Sequence, residues 1–533
     1  MKTIYTGGHI YQGLNQFCEA FVVEAGRFAF TGKTGEALAL AAPGDEIIDL
    51  GGKFVCPGFN DSHMHLVGYG QSLTRAPLHE YTESLSGMIS AFREFALAHP
   101  PVTGGWIIGR GWNQDYFEDV SRMPDRHDLD QVSMEHPVMA VRCCGHCLIL
   151  NSRAIEMLNI TPDTPVPEGG SIGMENGQPD GRLYDNAMDI AYDALPSPTG
   201  EEARAMIRAA CASLNACGVT SCHSDDYALP WRMAHRVFRQ MAESGELTVR
   251  VYEQSNFQSA PALREFLEEG NTTGVGDEMF RVGPLKMLGD GSLGSRTAYL
   301  SRPYSDAPAA QGLLVFPQET LDEMIALANE HDMQVAVHAI GDGCLDNVLT
   351  AIERALSSHP REDHRHGVVH CQITRPDQLE KMAQMNLHIY AQTIFLDYDS
   401  GIVRDRVGDL ADSSYCWKTL MNKGLSVSNG TDCPVERPDS LRGIQCAVTR
   451  APLAGGGQYL PDQAFTVCEA IDSYTVRSAE GSFEEQIKGR IEPGMLADFV
   501  VLDESPFDVA PEKIKDIAVL ETWLGGRQVF RRG

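Results

Sequence analysis

Hydrophobic and polar positions follow two different rhythms along the chain. Near the start, "KTIYTGGHIY", "EAFVVEAGRFAFTG" and "DEIIDLGGKFVCPG" are short alternating runs broken by glycine. Near the end, "GRIEPGMLADFVVLDESPF" and "IKDIAVLETWLGGRQVFRRG" read the same way. Alternation with period two, punctuated by Gly turns, predicts short strands half-buried on one face. Two such ends around a different centre predict one small β-sandwich built from both termini, residues 1–56 and 486–533. In between, residues 57–485 alternate continuous apolar runs with amphipathic ones. That is the pattern of βα units around a parallel sheet hidden on both faces. The predicted strands are "KFVCPGFNDSHMH", "GVTSCHS", "ELTVRVYEQ", "RVGPLKMLGDG", "MQVAVHAIGDG", "HGVVHCQ", "LHIYAQ" and "GLSVSNGTD". Helices such as "LDEMIALANEHD", "CLDNVLTAIERALSSH" and "PDQLEKMAQMN" fall between several of them. Eight strands give an α/β chain with a (β/α)8 TIM barrel.

Spacing tests the barrel. His338 and His370 lie 32 residues apart, and His370 and Asp432 lie 62 apart. With about 30 residues per βα unit, those are one and two units. His65 and His223 are separated by 158 residues, which leaves a large insertion after strand one, at about 70–200. It departs from the C-terminal end of a barrel strand, where barrel active sites open, so the expectation is a lid or a substrate pocket.

Composition narrows the partners. With 43 Lys and Arg against 73 Asp and Glu, the formal charge is −30. Such a chain repels nucleic acid and anionic membrane surfaces. No apolar run approaches the roughly 18 residues needed to cross a bilayer, and the start "MKTIYTGGHIYQG" has no signal-peptide core. The expectation is a cytoplasmic protein acting on a small molecule, with a homo-oligomer left open. Fourteen cysteines are scattered through apolar stretches and read as buried free thiols. In "RCCGHC", Cys144 and Cys147 flank His146 at C-x-x-C spacing, but no second pair follows at zinc-finger spacing.

Chemistry concentrates at strand ends. In "PGFNDSHMHLVG", Asp61, His63 and His65 share one face of an extended strand, and neutral imidazoles on one face begin a metal site. Lys286, His338, His370 and Asp432 occupy the ends of later predicted strands. Each alone has a structural reading: a strand histidine bonded in a core, an aspartate in a turn. Lys286 is harder to explain that way, because an apolar strand rarely buries a lysine without a partner. Cys222 and Cys371 alternate to the opposite face from their histidine neighbours and read as packing against helices.

This ordered set resembles the amidohydrolase superfamily, with His-x-His on strand one, Lys on strand four, His on strands five and six and Asp on strand eight. Segments along almost the whole chain resemble its family 3 branch, which includes N-substituted formamide deformylases. They are "PGFNDSHMHL", "GWIIGRGWNQDYF", "GHCLILNSRAI", "LKMLGDGSLGSRTAYL", "VAVHAIGDG", "TDCPVERPDSLRGIQCAVTR" and "IKGRIEPGMLADFVVLD". Two positions depart from the branch: Val369 stands where Glu is usual before the strand-six histidine, and Thr431 where Ser precedes the aspartate.

The resemblance implies that Lys286 is carboxylated and that its carbamate bridges two divalent ions, zinc being the first choice. It places His63, His65 and Asp432 on one ion and His338 and His370 on the other. Asp432 is implied as the catalytic group that takes a proton from the activated water and hands it to the leaving amine. The activity implied is hydrolysis of a C–N bond in an amide, formamide or cyclic amide. Two alternatives stay open: a one-metal deaminase on the same fold, and a catalytically silent barrel. Asp61 reads either as orienting a ligating imidazole or as fixing the strand end. Trp112, His146, His223, Asp290, Arg296 and Asp342 are candidates for the substrate pocket, Asp290, Arg296 and Asp342 equally as loop-holding residues.

Overall fold

A computed structural model of the chain describes residues 1–78, 81, 83–99, 105–142, 147–167, 170–226 and 229–533. The chain divides into two compact units, Met1–Gly68 with Ile207–Gly533, and Tyr69–Met206.

The first unit holds eight parallel strands in sequential order: β1 (Phe59–Met64), β2 (Val219–Ser224), β3 (Arg250–Asn256), β4 (Phe280–Leu288), β5 (Val335–Ala339), β6 (Gly367–His370), β7 (His388–Ala391) and β8 (Val427–Asn429). They form the (β/α)8 barrel. Their residues are buried on both faces, which is why the runs read as continuously apolar. The end of β8 meets β1 through two backbone bonds: Asp432 N–H donates to the His63 carbonyl (2.8 Å) and His65 N–H to the Cys433 carbonyl (2.8 Å). Gly430 permits this approach, because a Cβ there would lie 2.5 Å from the His63 nitrogen.

Helix α1 (Trp231–Glu243) follows β2 and turns Ala234, His235, Val237, Phe238 and Met241 inward, the i, i+3, i+4, i+7 stripe of an amphipathic helix on a sheet. Helix α2 (Ala260–Glu268) follows β3, with extended Ser259 before it and Pro261 in its first turn, where a missing N–H costs nothing. On the outer face, the Cys371 thiol lies 3.7 Å from the Met382 sulfur in the helix Pro376–Gln384. All described cysteines are free thiols.

One predicted strand proves to be two. In "KFVCPGFNDSHMH", Phe54–Pro57 pairs with Phe499–Leu502 of the terminal sheet, whereas Phe59–Met64 pairs with β2. Gly58 makes the switch: a Cβ there would meet the Thr220 side chain at 2.2 Å. The terminal segments build a four-stranded sheet and a six-stranded one. In the larger sheet three strands from the C-terminal end lie side by side and join three from the N-terminal end where Phe499–Leu502 pairs with Phe54–Pro57. Between the sheets lies an aromatic core of Tyr5, Phe21, Phe28, Phe499 and Trp523.

Arg250 at the start of β3 forms a two-pronged ion pair with Asp498 of the terminal segment, at 2.7 and 3.0 Å, with both side chains 6% exposed. Removing one partner of a buried pair leaves an uncompensated charge. Asp498→Ala is therefore expected to destabilise the protein by about 3–5 kcal/mol, read as a lower denaturation midpoint in urea. A loss under about 1 kcal/mol, the range of surface pairs, would contradict this role.

The second unit has a six-stranded sheet in the order Gly170–Glu175, Gln178–Asp185, Cys147–Leu150, Val138–Arg142, Ile107–Trp112, Ala76–Pro77. Among the described residues, no helix is long and apolar enough to cross a membrane.

Candidate metal centre

The strand ends of the first unit gather four imidazoles around Asp432. His63 and His65 ring centres are 5.3 Å apart, His63 and His370 5.6 Å, and His338 and His370 4.4 Å. Asp432 Oδ1 lies 3.1 Å from His65 Nε2 and 3.4 Å from His63 Nε2. One donor atom from each of His63, His65 and Asp432 fits within a 4.8 Å span. Both His370 and Asp432 have left-handed backbones, with φ of 73° and 57°. Few residues other than glycine adopt that conformation, and Asp and His are enriched among those that do. Such strain persists at sites where the surroundings over-determine it.

Each imidazole has one nitrogen held. His63 Nδ1 meets Gln254 Oε1 at 2.6 Å, His65 Nδ1 the Asp225 carbonyl at 2.9 Å, and His370 Nδ1 Gln392 Oε1 at 2.8 Å. His338 Nε2 meets the Gly291 carbonyl at 3.1 Å and Asp290 Oδ1 at 3.2 Å. A hydrogen bond on one ring nitrogen fixes the tautomer and presents the other to a metal. Burial holds His63 and His370 well below the usual imidazole range, so they stay neutral. Burial also works against charge on His65, but its hydrogen bond to Asp432 and the charges of Asp432 and Asp225 raise it to about 9. Asp432 is likewise buried, yet the His65 bond and the neighbouring imidazoles hold it well below the usual carboxylate range. The neutral imidazoles of His63 and His370 beside the Asp432 carboxylate are donors that a divalent cation needs.

Lys286, fully buried on β4, has its Nζ 3.1 Å from Asp225 Oδ2, and Asn256 Nδ2 reaches both Asp225 oxygens at 3.3 Å. Asp225, Gln254, Gln392 and Asn256 are functional candidates that the sequence reading passes over. Among the described residues, Asp61 makes no hydrogen bond to an imidazole ring. Its oxygens accept from His63 N–H, Thr431 N–H and Thr431 Oγ1, so it ties the end of β1 to the loop carrying Asp432. That decides between its two readings. Thr431 thus replaces the usual serine with its hydroxyl in use, and Gln392 supplies the polar support behind His370 that Val369 lacks.

The pocket candidates fall elsewhere. Asp290 accepts from Tyr299, Ile340 and Gly341 N–H groups, Asp342 from Ser301 N–H and Arg375, and Arg296 pairs with Asp306. All three hold loops, with Asp290 additionally against His338. His223 lies in the barrel interior, its ring 5.1 Å from that of Tyr252 and 6.1 Å from that of Tyr390. Neither of its nitrogens has a hydrogen-bond partner among the described residues. Trp112 packs in the second unit's own core and donates its indole N–H to the Ala140 carbonyl; that is a packing role. His146 and Cys144 lie outside the described residues.

The sequence pattern of the amidohydrolase family matches residues 46–530. The chain belongs to the amidohydrolase family. Among family relatives, YtcJ of Bacillus subtilis, which carries the name of an amidohydrolase, is 34% identical with all of both chains covered. The N-substituted formamide deformylase of Arthrobacter pascens is 24% identical over 97% of this chain and 96% of that protein. The crystal structure of an uncharacterized metal-dependent hydrolase from Pyrococcus furiosus matches with a TM-score of 0.80 and 29% identity. That match covers 95% of this chain and all of the other. Membership makes the protein a hydrolase whose family implies a divalent metal, and the converging, tautomer-fixed donors fit one.

The supporting amides give a prediction of their own. Gln254→Leu removes the acceptor behind His63 while keeping the side-chain bulk, and is expected to weaken metal binding about 10–100-fold. Titration against a chromophoric chelator measures this. Unchanged affinity would assign Gln254 to packing alone.

Proposed function

We propose that this amidohydrolase-family protein hydrolyses a C–N bond of a small molecule, an amide, formamide or cyclic amide, at a centre of two divalent ions. The observation that carries the reading is the convergence of four tethered imidazoles, Asp432 and Lys286 at the barrel's strand ends. His63, His65 and Asp432 would hold one ion and His338 and His370 the other, with zinc the first choice for an N/O donor set. When bound, the metal supplies Lewis-acid activation of water and of the scissile carbonyl.

Lys286 would contribute once carboxylated: its ammonium gives one proton to Asp225 Oδ2, and the freed amine adds to CO2 and releases a second proton to water. The carbamate would add an anionic oxygen donor to those of the histidines and Asp432. Asp432 takes the proton of the attacking water and delivers it to the leaving nitrogen. Gln254, Gln392 and the Asp225 carbonyl keep the rings aimed while this happens.

A one-metal centre, as in a deaminase, is the second reading, and the Lys286–Asp225 ion pair favours it because that pair commits the amine. Elemental analysis after purification without chelator, then after adding metal and bicarbonate, separates the two. Two ions per chain are expected; a stoichiometry of one, unchanged by metal and bicarbonate, would leave the one-metal reading.

A further inference from the structure

Away from the metal centre, a cavity of about 300 Å³ opens between the outer face of β3 and helices α1 and α2. None of the six proposed metal ligands lines it. Side chains alternate along β3, so while Gln254 serves the centre, Glu253 and Ser255 face the cavity, which Asp226 and Asn256 also line. Its apolar wall includes Leu229, Trp231 and Phe257.

Glu253 is 5% exposed, and its Oε2 has no hydrogen-bond partner among the described residues; Ser255 Oγ is buried and unpartnered as well. A buried carboxylate without a cation is costly, and burial, followed by the charges of Asp226 and Asp225, pushes the Glu253 acid well up. The nearby bases are not available. Arg232 lies over the Trp231 ring and pairs with Glu265 and Glu269. His235 is uncharged at neutral pH, held down to about 4 by burial and by Arg239. Lys286 is taken by Asp225. The cavity therefore combines an apolar wall with an unpaired acceptor in an acidic neighbourhood, which matches one ligand class: a cation with an apolar body.

We propose that this cavity is a second binding site, distinct from the metal centre, for a small organic ammonium ion. Its N–H groups bond Glu253 Oε2 and Ser255 Oγ, and its apolar body lies against Leu229, Trp231 and Phe257. The site stands independently of which bond the metal centre cleaves.

Calorimetric titration of the full-length protein with 2-phenylethylammonium tests it, with 2-phenylethanol as the neutral analogue. One ammonium per chain is expected, with the alcohol about 10-fold weaker or worse, since a hydrogen bond to a charged group is worth more than a neutral one. Glu253→Gln should weaken the ammonium by a similar factor. Ala262→Trp, which fills the cavity from the half-buried side of α2, should abolish binding; it keeps the test decisive if the glutamine variant misfolds. His63→Ala/His65→Ala should leave ammonium binding unchanged. No heat at ammonium concentrations of about 10 mM, far above the Kd of a specific site, would overturn the proposal. Binding that survives both cavity variants would do the same, and binding lost in the histidine variant would place the ammonium at the metal centre instead.

Discussion

Asp432→Asn is expected to fold and to lose kcat by about 10²–10⁴-fold, the contribution of a positioned general acid–base group. The amide is nearly isosteric with the carboxylate, and the backbone N–H that Asp432 gives to His63 is untouched. What disappears is the anionic oxygen that lies 3.1 and 3.4 Å from the His65 and His63 rings. Metal content must be measured in parallel, because the same oxygen is a proposed ligand. A variant loaded with metal but slow identifies the proton carrier, whereas one that is slow and metal-poor identifies the ligand. Affinity for a substrate-like inhibitor should fall much less than kcat. Wild-type turnover by a metal-loaded Asp432→Asn enzyme would show that the proton leaves by another route. His223 is not that route, since it is sealed in the barrel interior between Tyr252 and Tyr390.

Lys286 offers the second large effect, and its two variants are expected to fail differently. Lys286→Arg keeps a cation opposite buried Asp225, so stability should hold, but guanidinium cannot form a carbamate and adds fixed charge beside the metal site. Activity should be lost. Lys286→Ala abandons Asp225 as an unpaired buried charge, a loss of about 3–5 kcal/mol, and also loses activity. In the alanine variant, however, formate or acetate should restore part of the rate, since a short carboxylate can stand where the carbamate would. Full activity in the arginine variant would make Lys286 a structural ion-pair residue and nothing more.

Much of this architecture is readable in the chain because the barrel buries its strands on both faces. Apolar runs such as "VAVHA" then stand out, and a histidine or lysine inside one is conspicuous. Lys286, His338 and His370 are visible for that reason, whereas His63 and His65 are marked by their His-x-His spacing and Asp432 by its place in the family pattern. Their supports are less so: Gln254 and Gln392 are ordinary amides until the neighbouring strand shows which imidazole each faces. Asp225 matters through a carbonyl as well as a carboxylate, and a carbonyl leaves no mark in a sequence. The division of "KFVCPGFNDSHMH" is hidden for another reason. Both halves are extended and buried, and only pairing with Leu502 on one side and with β2 on the other separates them. Asp290, Arg296 and Asp342 sit in Gly-rich loops beside ligand-bearing strands, where a charge that holds the loop and one that meets substrate look alike. Trp112 shows the same ambiguity for an aromatic side chain.

Metal-dependent hydrolysis of a C–N bond would show itself as release of free amine. A panel of N-substituted formamides, N-acyl amines and cyclic amides would be offered to the metal-loaded enzyme, to the chelator-stripped enzyme and to the stripped enzyme reloaded with zinc and bicarbonate. Turnover of at least one class is expected, with amine and acid appearing in equal amounts, lost on stripping and restored on reloading. Amine release that is indifferent to metal, or a fully loaded enzyme that cleaves esters while leaving every C–N bond intact, would contradict it.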